Sequence, residues 1–333
     1  MIGDERGGMR TLMLRTPTQV SRVIEGMAFG DSCGLPWEGL PLKAIPQDDR
    51  GVLDFPRRMV SDETEHALLT LAAIADHSLP FSDALRVRFR RWMLGFPPSL
   101  GGATLRSGIR VLLGFRRPGV RSQGNLPLAR AAVIGAAVLD PILRAQFVLE
   151  STLLTHRDPV TVACAQMVAD VVSARLDGRE PIVQAHLGEW TGVMHAALAS
   201  MPIDDVFITL GRLPSSGVTG HAPVTLAVAL QRATMHKSVE DAVISTIALG
   251  GDVDSAAALA GAFAAASGSS APSGWESMLD DEMWSVVAPR ILAGGDWPRD
   301  IGQVRRRNGA QFIWIVRLMF GMRLRARLGT KHR

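Results

Sequence analysis

The sequence predicts an all-α protein that folds as a compact single domain with long functional loops. Apolar residues recur at helical spacing through most of the 333-residue chain, and no stretch shows the sustained alternation of a strand. Hydrophobic residues make up 47% of the chain and charged residues 20%, which is an ordinary globular balance. Because aromatic residues are sparse and Tyr is absent, we expect Ala, Leu, Val and Met to fill the core.

The first predicted helix follows Pro17, and we expect Gly30 and Gly34 to mark its end. Residues 35–60 are rich in Pro, Gly and mixed charge, which is typical of a long loop with a functional role. The apolar face of the first helix consists of Val20, Val23, Ile24, Met27 and Ala28.

Later helices are bounded by Pro, Gly and capping residues. Ser61 is the expected N-cap of a helix over residues 62–77. Residues 267–310 give the weakest helical pattern, and a single domain over residues 18–330 with an N-terminal extension over 1–17 accounts for the chain. The other predicted helices are 86–94, 103–113, 128–139, 141–154, 159–176, 181–199, 204–210, 225–234, 239–249, 254–266, 275–292 and 311–328, with a loop at 116–127 and a turn at 214–220.

The net charge is +4, and basic residues concentrate after Arg299. We interpret them as a solvated helix face and tail, with contact to nucleic acid or acidic lipid as the alternative. Two cysteines, Cys33 and Cys164, form neither a zinc spacing nor a disulfide framework, which favours a cytoplasmic location. Residues 1–15 contain no apolar run of signal-peptide length.

The most apolar run, residues 242–266, is interrupted by Asp252 and Asp254. A membrane span would hardly place two acids at its centre, so we predict two buried helices joined by a turn. We therefore expect neither a membrane nor a nucleic acid as a partner.

Two acidic clusters open helices far apart in the chain: residues 61–64 (S-D-E-T) and residues 250–255 (G-G-D-V-D-S). If the fold brings them together, they offer four carboxylates and two or three hydroxyls, enough for one hard cation or for a pair about 3.5–4 Å apart. Acids in a first helical turn also offset the helix dipole. Backbone N–H groups or a shared proton could likewise satisfy Asp252 and Asp254.

Three further segments carry residues with more than one interpretation. Glu38 is either a surface glutamate or a mobile carboxylate that carries a proton or positions water, and Asp31 before it could be a plain turn residue. The Gly-containing loop 122–127 is either a turn or a phosphate site at a helix N-terminus. His156 lies between two helices, where a histidine is usually structural.

Taken in this order, the motifs resemble the ADP-ribosylglycohydrolase family, also called the ADP-ribosylhydrolase or dinitrogenase-reductase-activating glycohydrolase type. The resemblance covers residues 20–268, and residues 103–108 also resemble one bacterial branch of the family. The matching residues are Gly30, Asp31, Gly34 and Glu38 for G-D-x-x-G-x-x-x-E, residues 61–64 for [ST]-D-[DE]-[ST], Gly124 and Asn125 for G-N, Thr155 and His156 for T-H, and residues 250–255 for G-G-D-x-D-[ST].

The resemblance implies an orthogonal helical bundle with a central metal-binding cleft that holds Mg²⁺, as a pair, with Mn²⁺ as an alternative. It also implies cleavage of the glycosidic bond at the distal ribose, which releases ADP-ribose from an ADP-ribosylated protein or a small ADP-ribosyl conjugate. The implied metal ligands are Ser61, Asp62, Glu63, Asp252, Asp254 and Ser255; the implied catalytic residues are Glu38, Asp62 and Asp254; and the implied substrate-binding residues are Ser122, Gln123, Gly124, Asn125 and His156.

Four residues depart from the family pattern. Glu63 stands where the family usually has Asp, Leu126 and Pro127 follow the G-N pair in place of a small residue, and Gln123 stands near the loop where many members place an aromatic. These departures keep a second function open, that of a catalytically impaired member that binds ADP-ribose or a protein. A metal-dependent phosphohydrolase that uses the same carboxylates is a third.

Overall fold

The computed structural model of this chain describes residues 14–40, 42–46, 49–53, 58–98, 100–179 and 217–329. Regular structure within these ranges is helical, apart from six isolated β-bridges between single residues. The prediction of an all-α fold is confirmed. The helices predicted at residues 181–199 and 204–210 lie outside the described residues, as do residues 214–216 of the turn predicted at 214–220.

Most predicted helices are present, with boundaries that differ by a few residues. Three short helical segments interrupt the predicted loop 35–60: Leu35–Trp37, Leu42–Ala44 and Asp49–Leu53. The α-helices are α1 Pro17–Gly34, α2 Asp49–Leu53, α3 Asp62–Ile74, α4 Phe81–Leu94, α5 Gly102–Leu112, α6 Pro127–Ala137, α7 Pro141–Thr155, α8 Pro159–Leu176, α9 Ala222–Met235, α10 Val239–Ile247, α11 Val253–Ala266, α12 Ala288–Leu292 and α13 Ile301–Gly329.

Two helices near the C-terminus were predicted with the wrong boundaries. The single helix expected at 275–292 is divided into a 3₁₀ turn at Trp275–Met278, a π-turn at Met283–Val287 and α12, because the Asp281 carboxylate accepts the Met283 N–H and starts a new turn. Helix α13 begins at Ile301 rather than at residue 311, with the Asp300 carboxylate accepting the Gly302 N–H. Its first turns bury polar side chains, so apolar spacing gave no signal there.

Helices α1 and α11 pack with their backbones nearly in contact. A Cβ added at Gly30 would lie 2.1 Å from the Ala257 carbonyl oxygen, and one added at Gly26 would lie 2.5 Å from that of Gly261. A Cβ at Gly34 would meet the Asp254 Cα at 2.5 Å. The predicted end of the first helix is confirmed at Gly34, whereas Gly30 lies inside α1, where its missing side chain lets α11 approach.

The apolar run at 242–266 forms α10 and α11, two buried helices joined by a turn, as predicted. Helix α8 is the one described helix long and apolar enough to cross a membrane, and 72% of it is buried inside the protein, as in a core helix. Gly135 of α6 lies against α8, because a Cβ there would meet the Ala169 carbonyl oxygen at 2.3 Å.

Residues 14–17 of the predicted N-terminal extension lie against the core. The Arg15 N–H donates to the Ala137 carbonyl at 3.0 Å, and the Arg15 guanidinium pairs with Asp177 at 2.6 Å. Residues 1–13 lie outside the described part of the chain.

Candidate active site

The two acidic motifs predicted from the sequence meet in one cleft. Helix α3 begins at Asp62 and helix α11 begins at Val253, and the Ser255 hydroxyl donates to a Glu63 carboxylate oxygen at 2.5 Å. This hydrogen bond joins residues 192 positions apart. The convergence follows from the close packing of α1 on α11, since α1 also contacts α3.

Asp31, on the last turns of α1, organises the start of α3. Its carboxylate is fully buried and accepts the Ser61 N–H at 2.8 Å, the Thr64 N–H at 3.2 Å and the hydroxyls of both residues. Asp31 thus caps α3 from another helix. Ser61 occupies the N-cap position as predicted, but its hydroxyl makes no cap hydrogen bond; it lies 2.6 Å from Asp31 and 2.9 Å from Glu63 instead.

The turn before α11 holds Asp252 beside the loop that carries Glu38. Gly250 and Gly251 have φ of 70° and 86°, a conformation that strains any residue with a Cβ. The Gly251 N–H donates to the Leu40 carbonyl at 2.7 Å, and its carbonyl accepts the Gly39 N–H at 2.8 Å. These two bonds fix the backbone next to Glu38, whose side chain remains exposed at the mouth of the cleft.

The cluster brings six carboxyl groups together: Asp31, Glu38, Asp62, Glu63, Asp252 and Asp254. Within the described ranges, every ion pair of the protein involves other residues. The cluster therefore concentrates carboxyl groups that form no direct ion pair with an arginine or lysine of the described residues.

Loss of hydration is the largest cause of the raised pKa values in this cluster, and repulsion between neighbouring carboxylates adds to it. The pKa of Asp31 rises to about 7, that of Glu38 to about 8 and that of Asp252 to about 6. The pKa values of Asp62 and Asp254 also lie well above the usual range. Without a cation, the site must bind protons.

The residues present fit a hard divalent cation. The Asp254 Oδ1 atom is buried and has no hydrogen-bond donor, which is rare for a carboxylate oxygen unless something positive binds it. One ligand atom from each of Asp31, Glu63 and Asp254 lies within 4.8 Å of the others, and so does one from each of Glu38, Asp252 and Asp254. All of these donors are oxygen atoms, as Mg²⁺ and Mn²⁺ prefer.

Five of the six predicted metal ligands line the cleft, and the sixth lies behind them. Asp62, Glu63, Asp252, Asp254 and Ser255 line the cleft, whose volume is about 260 Å³. Ser61 does not line it: this residue is 3% exposed and lies behind the carboxylates, bonded to them.

Four of the five predicted substrate-binding residues line the same cleft: Ser122, Gly124, Asn125 and His156. The Asn125 amide donates to Asp252 at 2.6 Å and to the Thr225 hydroxyl at 3.0 Å, so it positions a candidate metal ligand. Gln123 points away from the cleft, because its side chain bonds His221 at 2.6 Å and Asp158 at 3.3 Å. We infer that Gln123 holds the loop in place.

A chain of hydrogen bonds sets the tautomer of His156. The buried Arg130 guanidinium donates to the Thr155 hydroxyl at 2.6 Å, which leaves the hydroxyl proton of Thr155 for the His156 Nδ1 at 2.9 Å. We infer that His156 Nε2 carries the ring proton; Nε2 faces Gly124, where an added Cβ would lie 2.8 Å from it. Desolvation and the charge of Arg130 lower the pKa of His156 to about 3, so the ring is a neutral donor.

Sequence reasoning missed several residues of the cleft. The sequence left Asp31 open as a plain turn residue and matched it to a family motif without giving it a role behind the cleft, although an acid inside an apolar helix is a signal of a buried partner. Residues 101–104, at the start of α5, also line the cleft, and only the likeness of residues 103–108 to a bacterial branch pointed there. Gly220 also lines the cleft, and a Cβ there would lie 3.2 Å from Asp252.

Comparison with known proteins places this geometry in a family. The profile of the ADP-ribosylglycohydrolase family matches residues 16–300, and the chain belongs to that family. Among solved structures, a chain of an "ADP-ribosylglycohydrolase-related protein complex" matches with a TM-score of 0.66 at 22% identity, over 88% of this chain and 98% of that chain, which shows a shared fold. The comparison with curated proteins gives no match.

Family membership supports glycohydrolase activity on ADP-ribosylated substrates. The family is metal-dependent, and the acidic cleft is compatible with a bound metal ion.

Proposed function

We propose that this protein is a Mg²⁺-dependent hydrolase that releases ADP-ribose from a modified protein side chain or a related small conjugate by cleaving the bond to the distal ribose. The observation that supports it best is the acidic cluster in the cleft, in which the Asp254 Oδ1 atom is buried without a hydrogen-bond partner and Asp254 belongs to both groups of converging carboxylates. The structural likeness at 22% identity supports the fold, and the family match supports the reaction class.

Glu63, Asp252 and Asp254 would hold the metal, with Asp62, Glu38 and Ser255 within the same cleft. Magnesium ions in such a site supply Lewis-acid stabilisation of oxygen and acidify water.

Glu38 is suited to protonating the leaving group. Its side chain is exposed at the mouth of the cleft, beside Asp252 and Asp254, where a carboxyl group can reach a leaving group that enters from solvent. Departure of the leaving group from the anomeric carbon would generate positive character on the ribose ring, which nearby carboxylates such as Asp62 stabilise.

Other parts of the cleft lining offer donors for an anionic ligand. The His156 Nε2–H and the backbone around Gly124 line the cleft, and so do the first residues of α5, whose N-cap Gly101 has no side chain to bond the helix N–H groups. Diphosphate oxygens are the part of ADP-ribose that such donors bind well.

The test is ADP-ribose release by Asp254→Asn and Asp252→Asn variants, which keep side-chain size and remove charge. We expect each rate to fall at least about 100-fold, a loss typical of transition-state electrostatics. Asp83→Asn, on the exposed surface of α4, is the matched control and should keep the wild-type rate. Full activity in folded Asp254→Asn protein would overturn the metal-site proposal.

A second candidate, a binding module without turnover, is favoured by the position of Glu63. Its carboxylate lies in hydrogen-bond contact with the hydroxyls of both Ser61 and Ser255, two predicted ligands. Calorimetry separates the two functions: ADP-ribose binding with no turnover and weak Mg²⁺ dependence would support the module.

A further inference from the structure

One segment beside the cleft is unusually basic. Residues 84–139 contain ten arginines and neither Asp nor Glu. Arg106, Arg116 and Arg117 are exposed, and within the described ranges they form no ion pair. Arg121 is 84% exposed on its side chain, with Asp158 3.6 Å away. The loop after α5 therefore presents positive charge that this part of the protein does not neutralise.

The same surface carries a line of exposed apolar side chains. Leu105, Ile109 and Leu113 are 42%, 47% and 70% exposed, and Phe115 after them is 52% exposed. Residues four positions apart lie on one face of a helix, so Leu105, Ile109 and Leu113 form a line. The line is about 12 Å long, because it spans eight helical residues. The opposite face of α5 is buried, so this apolar line is a second face of the helix rather than part of the core.

The apolar line begins at the cleft. Residues 101–104 of the same helix line the cleft wall, and Leu105 is the next residue. Arg106 is close enough to the cleft that its charge contributes to the lowered pKa of His156. A chain segment that presents a modified side chain to the acidic cluster would pass beside this face.

We propose that residues 105–117 are the docking surface for a protein substrate, and that they bind a segment in which acidic and apolar residues flank the ADP-ribosylated side chain. This inference rests on the proposed function. The unpaired arginines select acidic neighbours, and the apolar line selects Leu-like side chains.

The line of exposed apolar side chains argues against two other binding partners for this surface, a nucleic acid and a second copy of the protein. A nucleic acid would contact the arginines but leave Leu105, Ile109 and Leu113 against phosphate and water, with Phe115 as the one aromatic available for stacking. A second copy of this face would bring the same unpaired arginines together, and like charges at an interface are unfavourable.

The experiment compares kcat/KM for four probes with wild-type protein in Mg²⁺. The first is a small conjugate of ADP-ribose, made both with free arginine and with free serine, and the better substrate of the two fixes the linkage used in the peptides. The second is a peptide with that modified residue between Glu and Leu residues, and the third is the same peptide with every Glu replaced by Lys. The fourth is an oligonucleotide that carries a terminal ADP-ribose. We expect the Glu/Leu peptide to exceed the Lys peptide at least about tenfold.

Variants assign the preference to the surface. Ile109→Ser with Leu113→Ser, and separately Arg116→Glu with Arg117→Glu, should each lower kcat/KM for the Glu/Leu peptide about tenfold through KM. The rate on the small conjugate should stay within twofold, because that conjugate does not reach residues 109–117. Ile142→Ser, which changes a side chain that is 70% exposed on α7, is the matched control and should change neither rate.

The outcomes separate the two proposals. Hydrolysis of none of the probes would contradict the proposed function. Hydrolysis of the small conjugate with equal kcat/KM for both peptides would overturn the docking surface alone. The docking surface would also be overturned if the oligonucleotide became the substrate most sensitive to Ile109→Ser with Leu113→Ser, or if that double variant only converted a dimer into a monomer in sedimentation.

Discussion

Single residues of the cleft act mainly by positioning one another. Asp31 holds the start of α3, Asn125 holds Asp252, and Thr155 holds His156. The sequence named Asn125 and His156 as site residues from their motifs. It could not show that Asp31 organises the cluster or that Gln123 points away, because both roles depend on partners 30 or more residues distant.

Thr155→Val tests the tautomer of His156. Valine keeps the shape but removes the hydroxyl, so His156 Nδ1 loses its donor and the Nε2–H is no longer fixed toward the cleft. We expect KM to rise about tenfold, in line with the loss of one hydrogen bond, and kcat to change little. The ¹⁵N chemical shifts of His156 should show a mixture of tautomers, and Thr155→Ser should restore both readouts.

A wild-type KM in Thr155→Val, with His156 still protonated on Nε2, would contradict the hydrogen-bond chain from Arg130.

The acidic cluster gives metal-free protein a specific pH dependence. Asp31 and Glu38 have pKa values of about 7 and 8, above their unfolded values, so the folded form binds more protons than the unfolded chain near neutral pH. The free energy of unfolding should therefore fall as pH rises from 7 to 9. Burial lowers the pKa values of His66 and His156, so these two residues reduce the free energy of unfolding as pH falls, but only below about pH 6.5.

Thermal melts in EDTA and in Mg²⁺ check this prediction. We expect the Tm in EDTA to drop between pH 7 and 9, and Mg²⁺ to raise Tm more at pH 9 than at pH 7, because protons compete with the cation. Asp252→Asn should flatten the dependence in EDTA. A Tm in EDTA that is constant across this range would show that the carboxyl groups are not mutually repelling.

At the scale of helices, the sequence predicted which helices are present better than it predicted where each helix begins and ends. Pro and Gly marked most ends correctly, because they act locally. Gly30 was misread since its role is tertiary: it removes a side chain from the contact between α1 and α11. The start of α13 was missed because polar residues, among them Arg307 and Asn308, fill its buried face.

Gly30→Ala tests the contact between α1 and α11. The added Cβ would lie 2.1 Å from the Ala257 carbonyl oxygen, so the helices must separate. We expect a loss of about 2–3 kcal/mol in the free energy of unfolding, as for overpacking in a core, measured by chemical denaturation. Activity should also fall, because α1 carries Asp31.

Gly309→Ala is the matched control, since Gly309 lies in α13 with no atom within 4 Å of an added Cβ. It should leave stability unchanged or raise it by about 0.5–1 kcal/mol. Equal stability of the two variants would contradict the close packing of α1 and α11.

Across the whole molecule, the site depends on segments beyond the family match. The profile ends at residue 300, yet Arg307 in α13 donates to the Val60 carbonyl at 2.7 Å and pairs with the buried carboxylates of Glu65 and Asp281. Val60 precedes Ser61, so the C-terminal helix braces the start of α3. Sequence reasoning saw only a basic face here, because a buried arginine is recognised by its partners.

Arg307→Met should cost about 3–5 kcal/mol of stability, because it leaves Glu65 and Asp281 buried without their cation. Urea denaturation measures this loss. Arg306→Met, on the exposed face of the same helix, should change stability by less than about 0.5 kcal/mol. A similar small effect in both variants would show that α13 does not brace the site.

The central claim is that residues 61–63 and 252–255 bind the same divalent cations. Anomalous diffraction from crystals soaked in Mn²⁺ tests it most directly. The account predicts anomalous peaks in the cleft, with oxygen ligands from both motifs and Asp254 among them. Absence of a peak in the cleft at saturating Mn²⁺, or a peak bound by one motif alone, would contradict it.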